Sequence, residues 1–335
     1  MSIANTLSVP RPGADPEPRE FTLPDLNAWD IEVEVTHCGL CASDLHLADG
    51  DFGDASVFPQ VCGHEIVGTV RAIGSEMTGW RVGERVGIGW QKGACFKCEF
   101  CLKGEEQHCI DARLTCCSGE IGGFADIVRC DGRFAYAIPE AISSAEAAPL
   151  LCAGHTTYTA LMRHARPGAK VGVLGIGGLG HLAVQFADKM GCEVTAISGS
   201  PAKADEAYAY GADSFLNFRD ALQRAAAAFS LDFLLVTSPR VEDWDAVFDL
   251  MRPHGIVGVA GMTEPATVNI VAMMERTLTL TTVNAGSRND MRDMLAFCAR
   301  NGVRPTIETL PMNELPKAFE RLRSGEVRYR AVLTT

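Results

Sequence analysis

Four cysteines, Cys95, Cys98, Cys101 and Cys109, lie in the segment GACFKCEFCLKGEEQHC with the spacing C-x2-C-x2-C-x7-C. Short gaps let neighbouring thiolates converge on one ion, and the longer gap closes a lobe around it, as a tetrahedral four-sulfur zinc site requires. Four thiolates also suit an iron–sulfur cluster. Either way the shell is full, so such a site staples a loop and leaves no position for a substrate. A second set is dispersed: Cys41 in CGLCASDLH, His64 in CGHEIVG and Cys152 in LLCAGHTTY. Zinc that performs chemistry takes three protein ligands and keeps a fourth position open. Taken singly, each of these residues reads as readily as core packing. Together, two thiolates and a neutral imidazole around divalent zinc form a formally neutral site, which suits the oxygen of a neutral alcohol or aldehyde. Cys38, three residues before Cys41, is a competing sulfur.

A different chemistry is written after Lys170, in KVGVLGIGGLGHLAVQFADKMG. A β-branched run at 171–174 meets Gly175, Gly177, Gly178, Leu179 and Gly180, and Leu182, Ala183, Phe186 and Met190 then follow at helical spacing. Strand, glycine turn and helix make the context in which G-x-G-x-x-G binds a dinucleotide: the glycines permit a tight turn and close backbone approach, and the helix start supplies unpaired N–H groups to the pyrophosphate. A glycine-rich turn without ligand is the alternative. The next strand ends in Ser198, Gly199, Ser200, Pro201, Ala202 and Lys203, where an NAD site offers an acid to the ribose hydroxyls. Two hydroxyls and an ammonium suit a 2′-phosphate, which a carboxylate would repel, so NADP(H) is expected. Lys203 solvated on a helix surface is the plainer reading of that residue.

These groups need elements to hold them. With 335 residues, about two domains of ~150 are expected. Apolar runs at 171–174, Glu193–Ser198, Ser214–Asn217, 232–236, 256–260 and 278–283 alternate with helix-like segments, which predicts six strands of a doubly wound parallel sheet. The net charge of −12 opposes nucleic acid and anionic membrane surfaces. The amino terminus lacks a basic segment followed by an apolar one, and no stretch is apolar enough to span a bilayer, so a cytoplasmic protein is the expectation.

From about Phe21 onward the chain resembles the zinc-dependent medium-chain alcohol dehydrogenases, within them the cinnamyl alcohol dehydrogenase branch and its bacterial NADP-dependent relatives. The matching words are CGLCASDLH, GHEIVG, GERVGIGW, the four-cysteine lobe, GGFADIV, PLLCAGHTTY, GIGGLGH and SGSPAK, in that order. Two cysteines and one histidine form the ligand set recognised in alcohol dehydrogenase, so the grouping rests on that resemblance.

The resemblance implies an α/β protein with a GroES-like, mainly β catalytic domain (1–149 and 286–335) and a Rossmann cofactor domain (150–285). It implies two Zn2+ ions per chain, one catalytic on Cys41, His64 and Cys152 and one structural on the four-cysteine lobe. Glu65 would stand beside the first ion as an occasional ligand, and Asp44 would orient the His64 ring. Ser43 would contact the substrate oxygen, His46 would end a proton relay through the nicotinamide ribose, and Thr156 would lie near the nicotinamide. Asp44 and His46 also read as a solvated loop, and Thr156 as a helix cap. Phe52 and Trp90 would line the substrate pocket, though either reads equally as core.

Ala42 replaces the His or Arg that many relatives place beside the pyrophosphate, and the segment at 283–287 is less apolar than theirs. The implied reaction is hydride transfer between NADP(H) and a primary alcohol or aldehyde in a homodimer or homotetramer. A zinc polyol dehydrogenase and a non-catalytic nicotinamide sensor are the alternatives.

Overall fold

Residues 2–335 are described by the computed structural model. The chain divides into two compact units, the segment up to His155 together with Ala285–Thr335, and Thr156–Asn284.

The first unit is organised by the strand Asp30–Leu40, whose text IEVEV puts Ile31, Val33 and Val35 on the core face while Glu34 stays exposed. Its sheet runs in the order Ile307–Pro311, Arg330–Thr334, Asp30–Leu40, Glu65–Ile73, Arg85–Ile88 and Ala135–Ala137, with Ile127–Asp131 also paired to Asp30–Leu40. Only the outermost pair, Ile307–Pro311 with Arg330–Thr334, is parallel. Ile66, Val70, Val86, Ile88 and Phe124 close the core over this sheet.

Register at the carboxyl end of Asp30–Leu40 matters most. Gly39 faces Glu65 on one side, and Leu40 faces Ala331 on the other. The strand stops because Cys41 caps the helix Ala42–Asp49, which itself ends at Gly50 in the left-handed conformation (φ 85°).

The second unit is a six-stranded, wholly parallel sheet in the order Ser214–Asn217, Glu193–Ser198, Lys170–Leu174, Leu231–Val236, Met251–Ala260 and Thr279–Val283. Sequence order reverses direction at Lys170–Leu174, the switch point outside which such sheets bind ligands. The six apolar runs all become strands. Met251–Ala260 starts earlier than its apolar run because Met251 pairs with Leu231 before the register shifts, around His254 at φ 65°. No helix among the described residues is long and apolar enough to cross a membrane.

Candidate functional site

The first unit brings one donor atom each from Cys41, His64, Glu65 and Cys152 to within 4.8 Å of one another. Three backbone devices produce this. Cys41 sits at the amino cap of Ala42–Asp49, where the helix favours a thiolate. His64 and Glu65 straddle the start of the strand Glu65–Ile73. Cys152 projects from a π-helical turn, Leu150–Gly154, a local widening that re-aims side chains and recurs at functional sites. Gly39 is required opposite Glu65, since a Cβ there would lie 2.0 Å from Glu65 Oε2.

Asp44, fully buried, locks the arrangement. Its Oδ2 accepts the Cys41 N–H (2.9 Å), and its Oδ1 accepts the Gly63 N–H (2.8 Å) and lies 3.0 Å from His64 Nδ1. That fixes the tautomer and turns Nε2 toward the sulfurs, 3.3 Å from Cys152 Sγ. A tetrahedral zinc with bonds of about 2.0–2.3 Å has ligand–ligand edges of roughly 3.3–3.8 Å, so the spacing fits. The chemistry of the set fits as well, as soft thiolates and an imidazole select zinc over hard cations. Glu65 Oε2 is buried without a hydrogen-bond partner, the kind of orphan a nearby cation satisfies. The second Glu65 oxygen pairs with the buried Arg330 guanidinium.

Among themselves the donors share protons unevenly. A hydrogen bond from the Cys152 thiol, helped by His64, holds the Cys41 thiol well below its ordinary range against burial, and the same bond together with burial pushes Cys152 well above. Burial works against charge on His64, but the charge and hydrogen bond of Asp44 outweigh it and raise the imidazole. Burial pushes Glu65 up to about 7 even with Arg330 beside it. A divalent ion needs thiolates and a neutral imidazole, so its binding displaces protons. Cys38 lies outside the donor group; burial raises its thiol far above the ordinary range and it leans toward the Gly39 carbonyl.

Of the remaining expected residues of this unit, Trp90 touches a donor directly. Ser43 is half-buried on the first turn after Cys41. His46 is half-buried, with Nδ1 held 2.8 Å from Asp51 Oδ2. The Trp90 ring meets the His64 ring edge-on at 4.8 Å, and Phe52 packs on Trp90 at 5.9 Å.

The four-cysteine lobe forms a second cluster, again with all donor atoms within 4.8 Å. Cys95 Sγ and Cys101 Sγ are 4.0 Å apart, near the ~3.8 Å edge of a zinc–sulfur tetrahedron. Backbone N–H groups already serve the sulfurs: Cys98 N–H to Cys95 (3.3 Å), Cys101 N–H to Cys98 (3.5 Å), and both Cys95 N–H (3.3 Å) and Asp111 N–H (3.4 Å) to Cys109. The Cys101 N–H is the largest influence holding the Cys98 thiol down at about 6, while partial burial pushes Cys101 up to about 12. Arg288, from the carboxyl-terminal segment, clamps the lobe by pairing with Glu106 (2.6 Å) and stacking over Phe96 (5.0 Å).

In the second unit, Gly175 adopts φ +100°, and a Cβ on Gly180 would lie 1.8 Å from the Gly175 carbonyl, so only glycine allows this turn to enter the helix Gly180–Lys189. A Cβ on Gly177 would meet nothing within 4 Å, which leaves open the space a pyrophosphate needs above the half-buried Gly178 and Leu179. The Ser200 N–H donates to Ser198 Oγ (3.1 Å). The Lys203 ammonium donates to the Ile176 carbonyl (2.5 Å) within the turn itself. Thr156 is half-buried on the helix His155–His164.

The chain is similar to known proteins. Residues 27–140 match the alcohol dehydrogenase GroES-like domain, and residues 178–300 match the zinc-binding dehydrogenase domain. The aldehyde reductase AdhA of Synechocystis sp. is 36% identical over 320 residues, covering 95% of this chain and 95% of that protein. The chain belongs to the zinc-dependent medium-chain alcohol dehydrogenases. Within them it falls in the cinnamyl alcohol dehydrogenase-like branch. A rice (Oryza sativa subsp. japonica) protein named "Probable cinnamyl alcohol dehydrogenase 8C" is 38% identical over 91% of this chain and 72% of its own length. A cinnamyl alcohol dehydrogenase from Sorghum bicolor superposes with a TM-score of 0.95 at 35% identity, covering 99% of this chain and 98% of that one.

Two residues of this alcohol dehydrogenase lay outside the sequence reading. Arg330 opens a strand whose next three residues are buried and apolar, and a cation in that setting signals a buried partner, though nothing local names Glu65 as that partner. Asp51, five residues from His46, was legible only as one of several loop acids.

Proposed function

We propose that this alcohol dehydrogenase transfers hydride reversibly between NADP(H) and a primary alcohol or aldehyde, with Cys41, His64 and Cys152 holding the catalytic zinc and Cys95, Cys98, Cys101 and Cys109 a structural one. The observation that carries the reading is the convergence of two thiols, an oriented imidazole and a carboxylate at one point. A zinc ion held by these residues would supply polarisation of the substrate oxygen, and NADP+ held by the glycine turn would supply the hydride acceptor.

The chain's own residues do the rest. Asp44 keeps His64 Nε2 directed at the ion, and Glu65 is its occasional ligand. Ser43 would contact the substrate oxygen and pass a proton on through the nicotinamide ribose of the bound cofactor, and His46 would end that relay toward solvent, with Asp51 fixing the His46 ring. Phe52 and Trp90 give the substrate an apolar wall. Gly175–Gly180 and Thr156 position the cofactor, and the absence of an acid at Ser198–Lys203, with Ser198, Ser200 and Lys203 in its place, supports NADP(H). All thirteen cysteines are free, which agrees with a reducing, cytoplasmic setting. The family resemblance supports a homodimer or homotetramer.

The test compares kcat/KM for NADPH and NADH across a panel of aldehydes that includes benzaldehyde and cinnamaldehyde, with zinc content measured on the same samples. NADPH-dependent reduction is expected, and Ser198→Asp should move preference toward NADH. A wild-type enzyme that favours NADH would reject the cofactor reading.

A further inference from the structure

Gly199 separates the two serines at the end of the strand Glu193–Ser198, and its φ is not among the positive ones, so its backbone conformation does not require glycine. What occupies its missing side-chain space is Arg219. An ideal Cβ on Gly199 would stand 3.1 Å from Arg219 Nε and 3.5 Å from both Cγ and Cδ of the same side chain. The neighbouring strand explains the meeting: Ser198 pairs with Asn217, the Phe218 N–H donates to the Ser198 carbonyl (3.0 Å), and Asn217 Oδ1 accepts the Arg219 N–H (3.1 Å). Two adjacent parallel strands thus end together, and the second lays its arginine across the glycine of the first.

The other charged groups nearby are committed. Arg224 donates to the Phe218 carbonyl (2.5 Å) and stacks on the Phe218 ring (5.6 Å). Asp220 spends its carboxylate capping the next helix through the Leu222 and Gln223 N–H groups (2.9 and 3.2 Å). The Lys203 ammonium is bonded to Ile176 in the glycine turn. Among the described residues, the Arg219 guanidinium is exposed, makes no hydrogen bond or ion pair of its own, and is the cation that remains beside Ser198 and Ser200. A planar guanidinium matches a phosphate with two parallel N–H donors, which a lysine cannot do.

We propose that Arg219 grips the adenosine 2′-phosphate of NADP(H), and that position 199 is glycine to give the guanidinium passage. The proposal rests on the NADP(H) reading above and adds to Ser198, Ser200 and Lys203 a further residue that discriminates the phosphate.

The test measures binding of 2′,5′-ADP and 5′-AMP to the zinc-loaded full-length enzyme by calorimetry, for wild type and Arg219→Ala. The side chain is exposed, so the variant should keep its fold, which thermal unfolding verifies. The expected result is a loss of about 10–100-fold in 2′,5′-ADP affinity with 5′-AMP changed by less than about twofold. If wild type prefers 2′,5′-ADP and Arg219→Ala keeps that preference, or if the variant weakens both ligands equally, the role of Arg219 is overturned while the NADP(H) reading stands. If wild type itself binds the two ligands alike, the NADP(H) reading falls and the proposal with it.

Discussion

Glu65 and Arg330, 265 residues apart in the chain, form an ion pair sealed from solvent, and only one carboxylate oxygen takes part in it. The other, Oε2, has no hydrogen-bond partner, and the Glu65 carboxylate contributes an oxygen to the donor group of Cys41, His64 and Cys152. Arg330 therefore holds the acid at the edge of the site without neutralising all of it. The strand Arg330–Thr334 reaches its position through pairing with Asp30–Leu40, so the carboxyl-terminal segment completes a site whose donors all come from the first 152 residues.

Replacing Arg330 by Met should leave Glu65 buried and uncompensated. Breaking a buried pair from one side costs about 3–5 kcal/mol, whereas removing both charges costs less. Arg330→Met is accordingly expected to lower the midpoint of denaturant unfolding more than the double variant with Glu65→Gln does. Equal losses in the two proteins would show that the pair is not coupled.

Asp44 gathers the N–H of Cys41, the N–H of Gly63 and His64 Nδ1 on two oxygens. Asp44→Asn replaces one acceptor by an NH2 group that faces donors, so the His64 ring loses its anchor. Zinc affinity at this site should fall about 10–100-fold, a typical cost of removing the partner behind a metal-bound histidine. Competition with a chromogenic chelator measures it, and an unaltered affinity would remove Asp44 from the site's support.

The two metal clusters should fail in different ways. Cys41→Ala is expected to abolish aldehyde reduction while the fold persists, because its helix and strand are held by the sheet core. Cys98→Ser should mainly lower the thermal midpoint, since the lobe is otherwise clamped only by contacts such as Arg288 with Glu106. Retained turnover in a Cys41→Ala protein shown to lack zinc at this site would contradict the assignment.

Zinc binding at the first cluster should release protons. Both His64 and Cys152 are raised above their ordinary ranges, so each holds more tightly than a free group the proton that the ion must displace, while Cys41, held low, gives its own up more readily. Lowering the pH makes that displacement harder. Affinity is expected to fall as pH falls, by about tenfold per unit for each displaced proton. Calorimetric zinc titrations in buffers of different ionisation enthalpy count the protons, and a count of zero would refute the protonation pattern.

What the amino-acid sequence determines by itself is whatever short chain lengths enforce. Cysteines three apart, as in Cys95 to Cys98 to Cys101, cannot lie far from one another in any fold, and a glycine turn between a β-branched run and a helix at Lys170–Lys189 has few conformations open to it. Six apolar runs separated by helices likewise admit essentially one kind of sheet. Tertiary structure decides the rest, because strand register decides it. Only the pairing of Gly39 with Glu65 and of Leu40 with Ala331 sets Arg330 against the carboxylate, and only the pairing of Ser198 with Asn217 lays Arg219 over Gly199. Such contacts join residues with no spacing rule between them, and a slip of one residue would turn each side chain to the opposite face of its sheet.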